Sequence, residues 1–383
     1  MRNRAIVNRV QGRANRRRVL ALSAAVLSIS SVAMADKTWT GGGGDPYIGR
    51  LLLEQALRNK GAANVIPVTD LDDDALVVPL AGMGAPTVII EKIIGFGEGE
   101  RVLRALEQRL GRKATAIMSA EIGGLNALFP VAMAAHLGLP VVDGDGMGRA
   151  FPELQMVTFN IHGQRAAPMV MGNEYGDTVL VEADDNLRVE RLARPVVVPM
   201  GGLCMLALYS MSGQAAKACT IRGTLSLALG IGRALGAARR SQQDPFAALL
   251  AFLRGTEYYR HCRILFDGKI VDLRRETQRG WAIGKVVIED LAGRENLEIE
   301  FRNEYLRALR GGRTVAIVPD LISILDRETG EPITTENLKY GQRVKVVGAS
   351  VPPIMRSERA LEVWGPKAFG YDEPFSPIES TGD

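Results

Sequence analysis

The stretch Gly41-Gly42-Gly43-Gly44-Asp45-Pro46-Tyr47-Ile48-Gly49 limits the folding of this chain more than any other. Four consecutive glycines tolerate positive φ and let other backbone come close. Asp45 is a strong N-cap, and Pro46 then falls at the first helical position. Leu51, Leu52, Leu53, Ala56 and Leu57 continue as an apolar helical stripe. A glycine turn feeding a helix directs free N–H groups and the positive end of the helix dipole to one point. A phosphate, a carboxylate or an oxyanion suits such a point. A capped strand-to-helix turn explains the same residues without a ligand. The G-K-[ST] ending of a P-loop is missing, and Pro46 occupies the place of the third glycine in G-x-G-x-x-G.

Beyond this stretch the pattern alternates. Asn64–Val68, Ala75–Leu80, Lys113–Ser119 and Pro140–Val142 read as strands. Gly99–Leu110 and Ala127–Leu137 have helical spacing, the second stopped by Gly138 and Pro140. Glycine-bearing loops follow the strands, at Glu121-Ile122-Gly123-Gly124-Leu125-Asn126 and at Asp143-Gly144-Asp145-Gly146-Met147-Gly148-Arg149. This predicts an α/β fold, an N-terminal three-layer αβα domain around a largely parallel sheet. From Pro168 the texture changes. Asp177–Glu182 and Pro195–Pro199 look like strands, Leu203–Lys217 and Thr220–Arg240 like helices. Beyond Asp244 short strands dominate, with a hairpin signal at Asp267-Gly268, and suggest a C-terminal β-rich, barrel-like domain. The expected division is 1–35 as a leader or first helix, 36–167 as the α/β domain, 168–243 as a mixed connecting region and 244–383 as the β-rich domain.

Seven arginines fall within the first 18 residues, so the remainder, with 40 basic and 43 acidic residues, is close to neutral. The body therefore carries no basic surface of the kind nucleic acid requires. Arg16-Arg17-Arg18, the apolar run Val19–Met34 and Ala33-Met34-Ala35 have the layout of a secretory signal. The run is short for a membrane span. The competing reading keeps Val19–Met34 as a core helix and Lys37–Thr40 as the strand entering the glycine turn. N-terminal sequencing of the natural protein separates them: a mature start at Asp36 marks a cleaved signal. Cys204, Cys219 and Cys262 lack C-x-x-C spacing and read as buried thiols.

In an open parallel sheet, ligands sit beyond the carboxyl ends of the strands. Three loops converge there and offer Asp45, Glu121, Asn126, Asp143 and Asp145 as candidate catalytic groups. Gly42, Gly43, Gly44 and Arg149 are candidates for holding the substrate. Such a carboxylate cluster suits a general acid and base, and a divalent metal is an option. Each carboxylate is equally suited to capping the helix that follows it. His136 reads as structural, His162 as a ligand or base near the acidic loops, and His261 beside Cys262 as weak evidence of a nucleophile. No G-x-S-x-G or H-E-x-x-H occurs.

Several blocks together resemble the S-methyl thiohydantoin hydrolase (desulfurase) family, formerly a domain of unknown function. They are Gly41–Gly49, Glu121–Asn126 with Pro130, Val142–Glu153, Val318-Pro319-Asp320-Leu321, Thr329–Glu336 and Gly365–Asp372. The resemblance implies an N-terminal three-layer α/β domain and a C-terminal β-barrel-like domain. It also implies hydrolysis at C2 of an S-methylated thiohydantoin, giving a hydantoin and methanethiol. It implies a small-molecule substrate, a cytoplasmic location and association with hydantoinase-type enzymes; a homo-oligomer is compatible with it. The signal-like run stands where the family has a charged helix, and a cleaved 1–35 segment would imply export instead. Two rival readings are a non-catalytic partner subunit of a hydantoinase-type enzyme and a phosphate- or nucleotide-binding enzyme.

Overall fold

The computed structural model describes residues 42–84, 88, 92, 94–278 and 281–381. The two readings of Val19–Met34 and Lys37–Thr40 lie outside the described residues. Asp45 has extended backbone and accepts a hydrogen bond from Tyr47 N–H at 2.7 Å, starting the helix Pro46–Lys60. Leu52, Leu53 and Ala56 on its buried face meet the helix Gly124–Leu137.

The first sheet contains β1 (Asn64–Pro67), β2 (Leu76–Gly84), β3 (Ala116–Ser119), β4 (Pro140–Asp145), β5 (Met169–Gly172), β6 (Thr178–Val181) and β7 (Leu203–Ala207). Their spatial order is β1-β4-β3-β2-β7-β5-β6. The strands β1, β4, β3 and β2 form a parallel core. The remaining three extend it antiparallel. Short strands β8 (Met211–Ser212) and β9 (Ile221–Arg222) pair with β2 and β4. Alternate residues feed two cores, as a strand's period of two requires. Leu76, Val78, Leu80, Ile117, Val141 and Met205 meet the helices Pro46–Lys60, Phe96–Leu110 and Gly124–Leu137 on one face. Val77, Met118, Val142, Cys204 and Leu206 belong to the core of the other face, with the helices Asn186–Val197, Gly213–Cys219 and Pro245–Arg254.

The second sheet is antiparallel. It comprises β10 (Cys262–Gln278), β11 (Trp281–Asp290), β12 (Asn296–Arg302), β13 (Glu304–Arg310), β14 (Arg313–Ile317), β15 (Leu321–Asp326) and β16 (Arg343–Ala349), in the order β14-β13-β12-β11-β10-β16-β15. Its inner face buries Ile270, Val286, Ile288, Ile299, Tyr305, Ile324 and Val346. The outermost strands β14 and β15 touch, so the sheet curls into a half-barrel. Leu306, Ile317, Val318, Leu321 and Val347 join the core on the first sheet's second face, so both sheets share one apolar interior. Among the described residues no helix is long and apolar enough to cross a membrane.

Four local expectations are corrected. Pro195–Pro199 is not a strand: Pro195 lies in the last turn of the helix Asn186–Val197, where Asp185 caps Arg188 N–H at 2.8 Å and Val189, Ala193 and Val197 are buried at helical spacing. Leu203–Ala207 is a strand, not a helix, because its residues alternate between the two cores. Asp267-Gly268 turns no hairpin. It lies inside β10 between two register shifts, and a Cβ on Gly268 would stand 2.1 Å from Glu289 O. Asp244-Pro245 starts a helix where strands were expected, repeating the Asp45-Pro46 device.

Gly124 has φ +33°, and a Cβ there would stand 1.7 Å from Gly44 O. Gly124→Ala is expected to lower stability by at least about 2 kcal/mol in denaturant titration. Gly138 also has positive φ but faces open space, so Gly138→Ala should cost only about 1 kcal/mol. Equal costs would show that the close backbone contact is not what excludes a side chain.

Candidate functional site

The glycine turn, the end of β2 and the loop after β3 meet in a cleft of about 90 Å3. Its polar lining is Gly43, Gly44, Glu121, Asn126, Glu153, Arg194, Asn303 and Glu304; Met83, Leu154, Val157, Leu203 and Leu208 supply apolar surface. Gly43 and Gly44 have φ of 83° and 81°, which a side chain would oppose. A Cβ on Gly43 would stand 2.5 Å from the carbonyl carbon of Gly123. Asn126 N–H donates to Gly43 O at 3.2 Å and locks the turn to the next helix.

Asn126 also organises the acidic side of the cleft. Its side-chain oxygen accepts from Gly82 N–H at 2.6 Å, and its Nδ2 donates to Gly82 O at 3.1 Å and to Glu121 Oε1 at 2.6 Å. The end of β2 thereby fixes the orientation of Glu121. Burial pushes the Glu121 carboxyl up to about 7; the nearby Asp145 charge adds to the rise, while the Asn126 amide and Phe151 backbone oppose it.

Glu304 was not among the residues expected from sequence. It opens β13 in the second sheet, and a Cβ on Gly42 would fall onto its carboxylate. Its Oε2 is buried without a hydrogen-bond partner among the described residues. Burial holds its pKa well above the ordinary carboxylate range, Glu121 adds to the rise, and Arg149 opposes it. Nothing in Asn303-Glu304-Tyr305 resembles a glycine-rich catalytic loop. The only clue is an acidic residue at a strand start that continues with Tyr305, Leu306 and Ala308 in the core. Tyr209 and Asn303 also line the cleft, with φ of 49° and 58°. A non-glycine residue in that region carries backbone strain, which often gathers at functional sites.

The other expected residues have different surroundings. Asp45 caps its own helix. Asp143 accepts from Ser226 N–H at 3.1 Å and from the Ser226 hydroxyl, and so caps the helix Thr224–Arg240 without lining the cleft. Asp145 is fully buried behind the cleft, and its Oδ2 accepts from Met147 N–H at 2.9 Å and Gly148 N–H at 2.8 Å. Burial nevertheless lifts its carboxyl to about 7, against those N–H groups, the facing Thr224 hydroxyl and Ile122 N–H. Arg149 is buried too, donating to Tyr305 O, Pro319 O and Asp320 O at 2.8–3.0 Å. Gly42 lies against Glu304, and Gly43 and Gly44 face the cleft. His162 and His261 are exposed outside the cleft, and His136 stacks on Phe96 at 4.6 Å. Arg194, unforeseen, reaches the cleft from the helix Asn186–Val197, pairs with Glu190 at 2.6 Å and lies over Trp281.

The three cysteines are buried and free. Among the described residues, no three His, Cys, Asp or Glu side chains converge as a metal's ligands would. Two larger grooves on the second sheet, about 760 and 820 Å3, are lined by arginines and glutamates among glycine, apolar and aromatic residues, and hold no buried carboxylate. Of the acids that burial raises, Glu121 and Glu304 line the smaller cleft together, whereas Asp145, Asp320 and Glu336 lie outside its lining; active sites gather such perturbed groups.

Two family models cover the chain between them. The model for the S-Me-THD-like N-terminal domain matches residues 39–183, and that for the S-Me-THD-like C-terminal domain matches 184–378. A crystal structure of a protein from Chromobacterium violaceum is similar with a TM-score of 0.78 and 26% identity, covering 92% of this chain and 99% of that one. No curated protein matches.

The raised carboxyls make stability depend on pH with a definite sign. Glu121 and Asp145 titrate near 7 in the fold, above their ordinary values of 4.5 and 3.8. Their favourable contribution is complete below the unfolded values and disappears as pH rises through about 7, at about 1.4 kcal/mol for each tenfold weakening of the acid by the fold. Melting temperature is expected to fall between pH 5.5 and pH 8, and Glu121→Gln should flatten that fall. A melting temperature that rises across this window would contradict the assignment.

Proposed function

This chain belongs to the S-Me-THD-like family, and we propose that its cleft hydrolyses an S-methylated thiohydantoin at C2, releasing methanethiol and leaving a hydantoin. The observation that carries this reading is the pairing of two buried carboxyl groups, Glu121 and Glu304, beside the glycine turn. Burial holds Glu304 well above its ordinary range and charge on Glu121 adds to the rise, so Glu304 favours its protonated form, whereas Glu121, at about 7, is close to half ionised at neutral pH. Environments that separate two carboxyls in this way assign one as base and the other as acid.

The proposed sequence is balanced. Glu121 takes a proton from the attacking water as the C2–O bond forms and the C2=N electron pair moves to nitrogen. Glu304 gives its proton to that nitrogen. The C2 hydroxyl then returns a proton to Glu304 as C2=O forms and C2–S breaks, and Glu121 delivers its proton to the departing sulfur. Both carboxyls recover their starting states. Asn126 holds Glu121 in place through its two bonds to Gly82. Backbone N–H groups of the glycine turn are suited to the negative charge that develops on the ring. A phosphate ligand fits less well, because buried carboxyls beside the glycine turn would repel it. A purely structural subunit would gain nothing from acids buried without full hydrogen bonding.

Glu121→Gln and Glu304→Gln are each expected to lower kcat/KM for an S-methyl thiohydantoin at least ~100-fold with the fold intact. The kcat/KM profile should be bell-shaped, rising through about pH 7 with Glu121 and falling at higher pH as Glu304 loses its proton; the limbs belong to the interacting pair. Asp143→Asn should retain turnover, because Asp143 serves Ser226, while Asp143→Ala should cost about 0.5–2 kcal/mol of stability as a lost cap. Full turnover by either folded Gln variant would remove the proposed acid–base pair.

A further inference from the structure

A second cavity, of about 30 Å3, adjoins the segments that carry Glu121 and Met147 into the cleft, since Ile122 and Gly148 are part of its lining. Thr224 and Tyr259 also line it, and the rest of the lining is mostly apolar, from Leu227 to Leu321; Asp145 stands just beyond the lining, against Gly148 and the Thr224 side chain. Thr224 Oγ1, Tyr259 OH and Asp145 Oδ1 are buried, and none has a direct hydrogen-bond partner among the described residues. The three residues are 1%, 4% and 0% exposed, so bulk water does not solvate them. They are also neighbours. Tyr259 OH stands 3.5 Å from the position of a Cβ on Gly148, and Gly148 N–H is 2.8 Å from Asp145 Oδ2. Leaving three such atoms unpaired is unfavourable. The cavity is large enough for one water, which needs two to four polar partners.

We propose that this cavity is a binding site for a single buried water molecule, which joins Asp145 Oδ1, Thr224 Oγ1 and Tyr259 OH and supports the Asp145 carboxylate behind Glu121. The chemistry selects water over an ion. Arg149 is part of the lining and disfavours a cation, while the Asp145 carboxylate, bonded to Gly148 N–H just beyond the lining, disfavours an anion. Two hydroxyls and a carboxylate oxygen supply both the donors and the acceptors that water uses.

The site makes Asp145 a positioning residue. A water donating to Asp145 favours its charged form. That charge in turn raises the pKa of Glu121. The charged group acting on Glu121 is Asp145 from β4. Glu121 acts in turn on Glu304 from β13, as do Arg149, Glu336 and Arg194. Loss of the Tyr259 hydroxyl would weaken the water, make Asp145 less readily ionised and let Glu121 ionise at lower pH. The value of this to catalysis rests on Glu121 being the base proposed above; the water site itself does not.

The test uses the full chain and needs no turnover. A high-resolution crystal structure should show one ordered water within hydrogen-bonding distance of all three oxygen atoms. A well-ordered site without a water, or with a water reaching only one of them, would overturn the proposal. Carbon-detected NMR titration of the Glu side-chain carboxyls, with Glu121 assigned by its loss in Glu121→Gln, reads the second part. In Tyr259→Phe the Glu121 midpoint should move down by about 0.5 pH units, and Thr224→Val should move it in the same direction. A midpoint that stays or moves up in both variants would sever the water from Glu121. Inactivity toward thiohydantoins, with the water and the lowered midpoint both present, would instead count against the proposed reaction alone.

Discussion

Contact between two stretches of bare backbone sets the position of the cleft. Gly43 and Gly44 lie against Gly123 and Gly124 so closely that a Cβ on Gly43 or Gly124 would stand 2.5 or 1.7 Å from the opposing main chain. Only glycine on both sides permits this approach. The helix Pro46–Lys60 begins two residues after Gly44, so the contact also dictates how that helix meets Gly124–Leu137. Gly49, one turn further on, continues the close packing, since a Cβ there would stand 3.0 Å from Leu128 Cβ. The consequence is chemical as well as steric: the start of one helix is held over the loop after β3, which carries Glu121, and the first turn of the next helix, which carries Asn126.

Arg149 then fixes how the half-barrel meets this arrangement. Its guanidinium leaves the loop after β4 and donates to Tyr305 O, Pro319 O and Asp320 O, while its face lies 4.9 Å from the Phe151 ring. An arginine buried with these carbonyls is costly to desolvate and more costly to remove, since its partners would be left unpaired. Tyr305 is adjacent to Glu304, so the bonds that hold the second sheet in place also deliver Glu304 to the cleft. Arg149 therefore reaches the chemistry through Glu304, whose carboxylate its charge favours.

Much of the first sheet was legible in the sequence because its cues are local. Asp45-Pro46 starts a helix, and the loops after β3 and β4 carry glycines where backbone approaches closely. Asp143 and Asp145 stand two residues apart at the end of β4, so a strand's period of two gives them one shared face, and both face the start of the helix Thr224–Arg240, through Ser226 and Thr224. What periodicity does not contain is which neighbour occupies that face. Glu304 was hidden for a related reason: it comes from β13, about 180 residues beyond Glu121, and long-range packing alone brings the two together. The segment Leu203–Ala207 misled because Met, Leu and Ala favour helix, yet two cores on opposite faces impose a strand. Of the proposed site, Glu121, Asn126 and the glycine turn were readable, whereas the acid opposite them was not.

The carboxylates differ in what surrounds them, and this sorts their roles better than their position in the sequence does. Asp143 is half-buried and receives two bonds from Ser226, which suits a helix cap. Asp145 receives two backbone N–H groups yet sits where solvent does not reach, and its carboxyl rises to about 7. Glu121 has the Asn126 amide and also reaches about 7. Glu304 has an oxygen with no partner at all among the described residues and rises well above its ordinary range. Charge on Asp145 raises Glu121, and charge on Glu121 raises Glu304, so the three do not titrate independently. The least supported acid therefore keeps its proton, the amide-supported acid exchanges one near neutrality, and Asp145 sets the balance from behind. A neutral ring entering the cleft adds no charge to this set, whereas an anion would have to displace a proton balance that burial has already fixed.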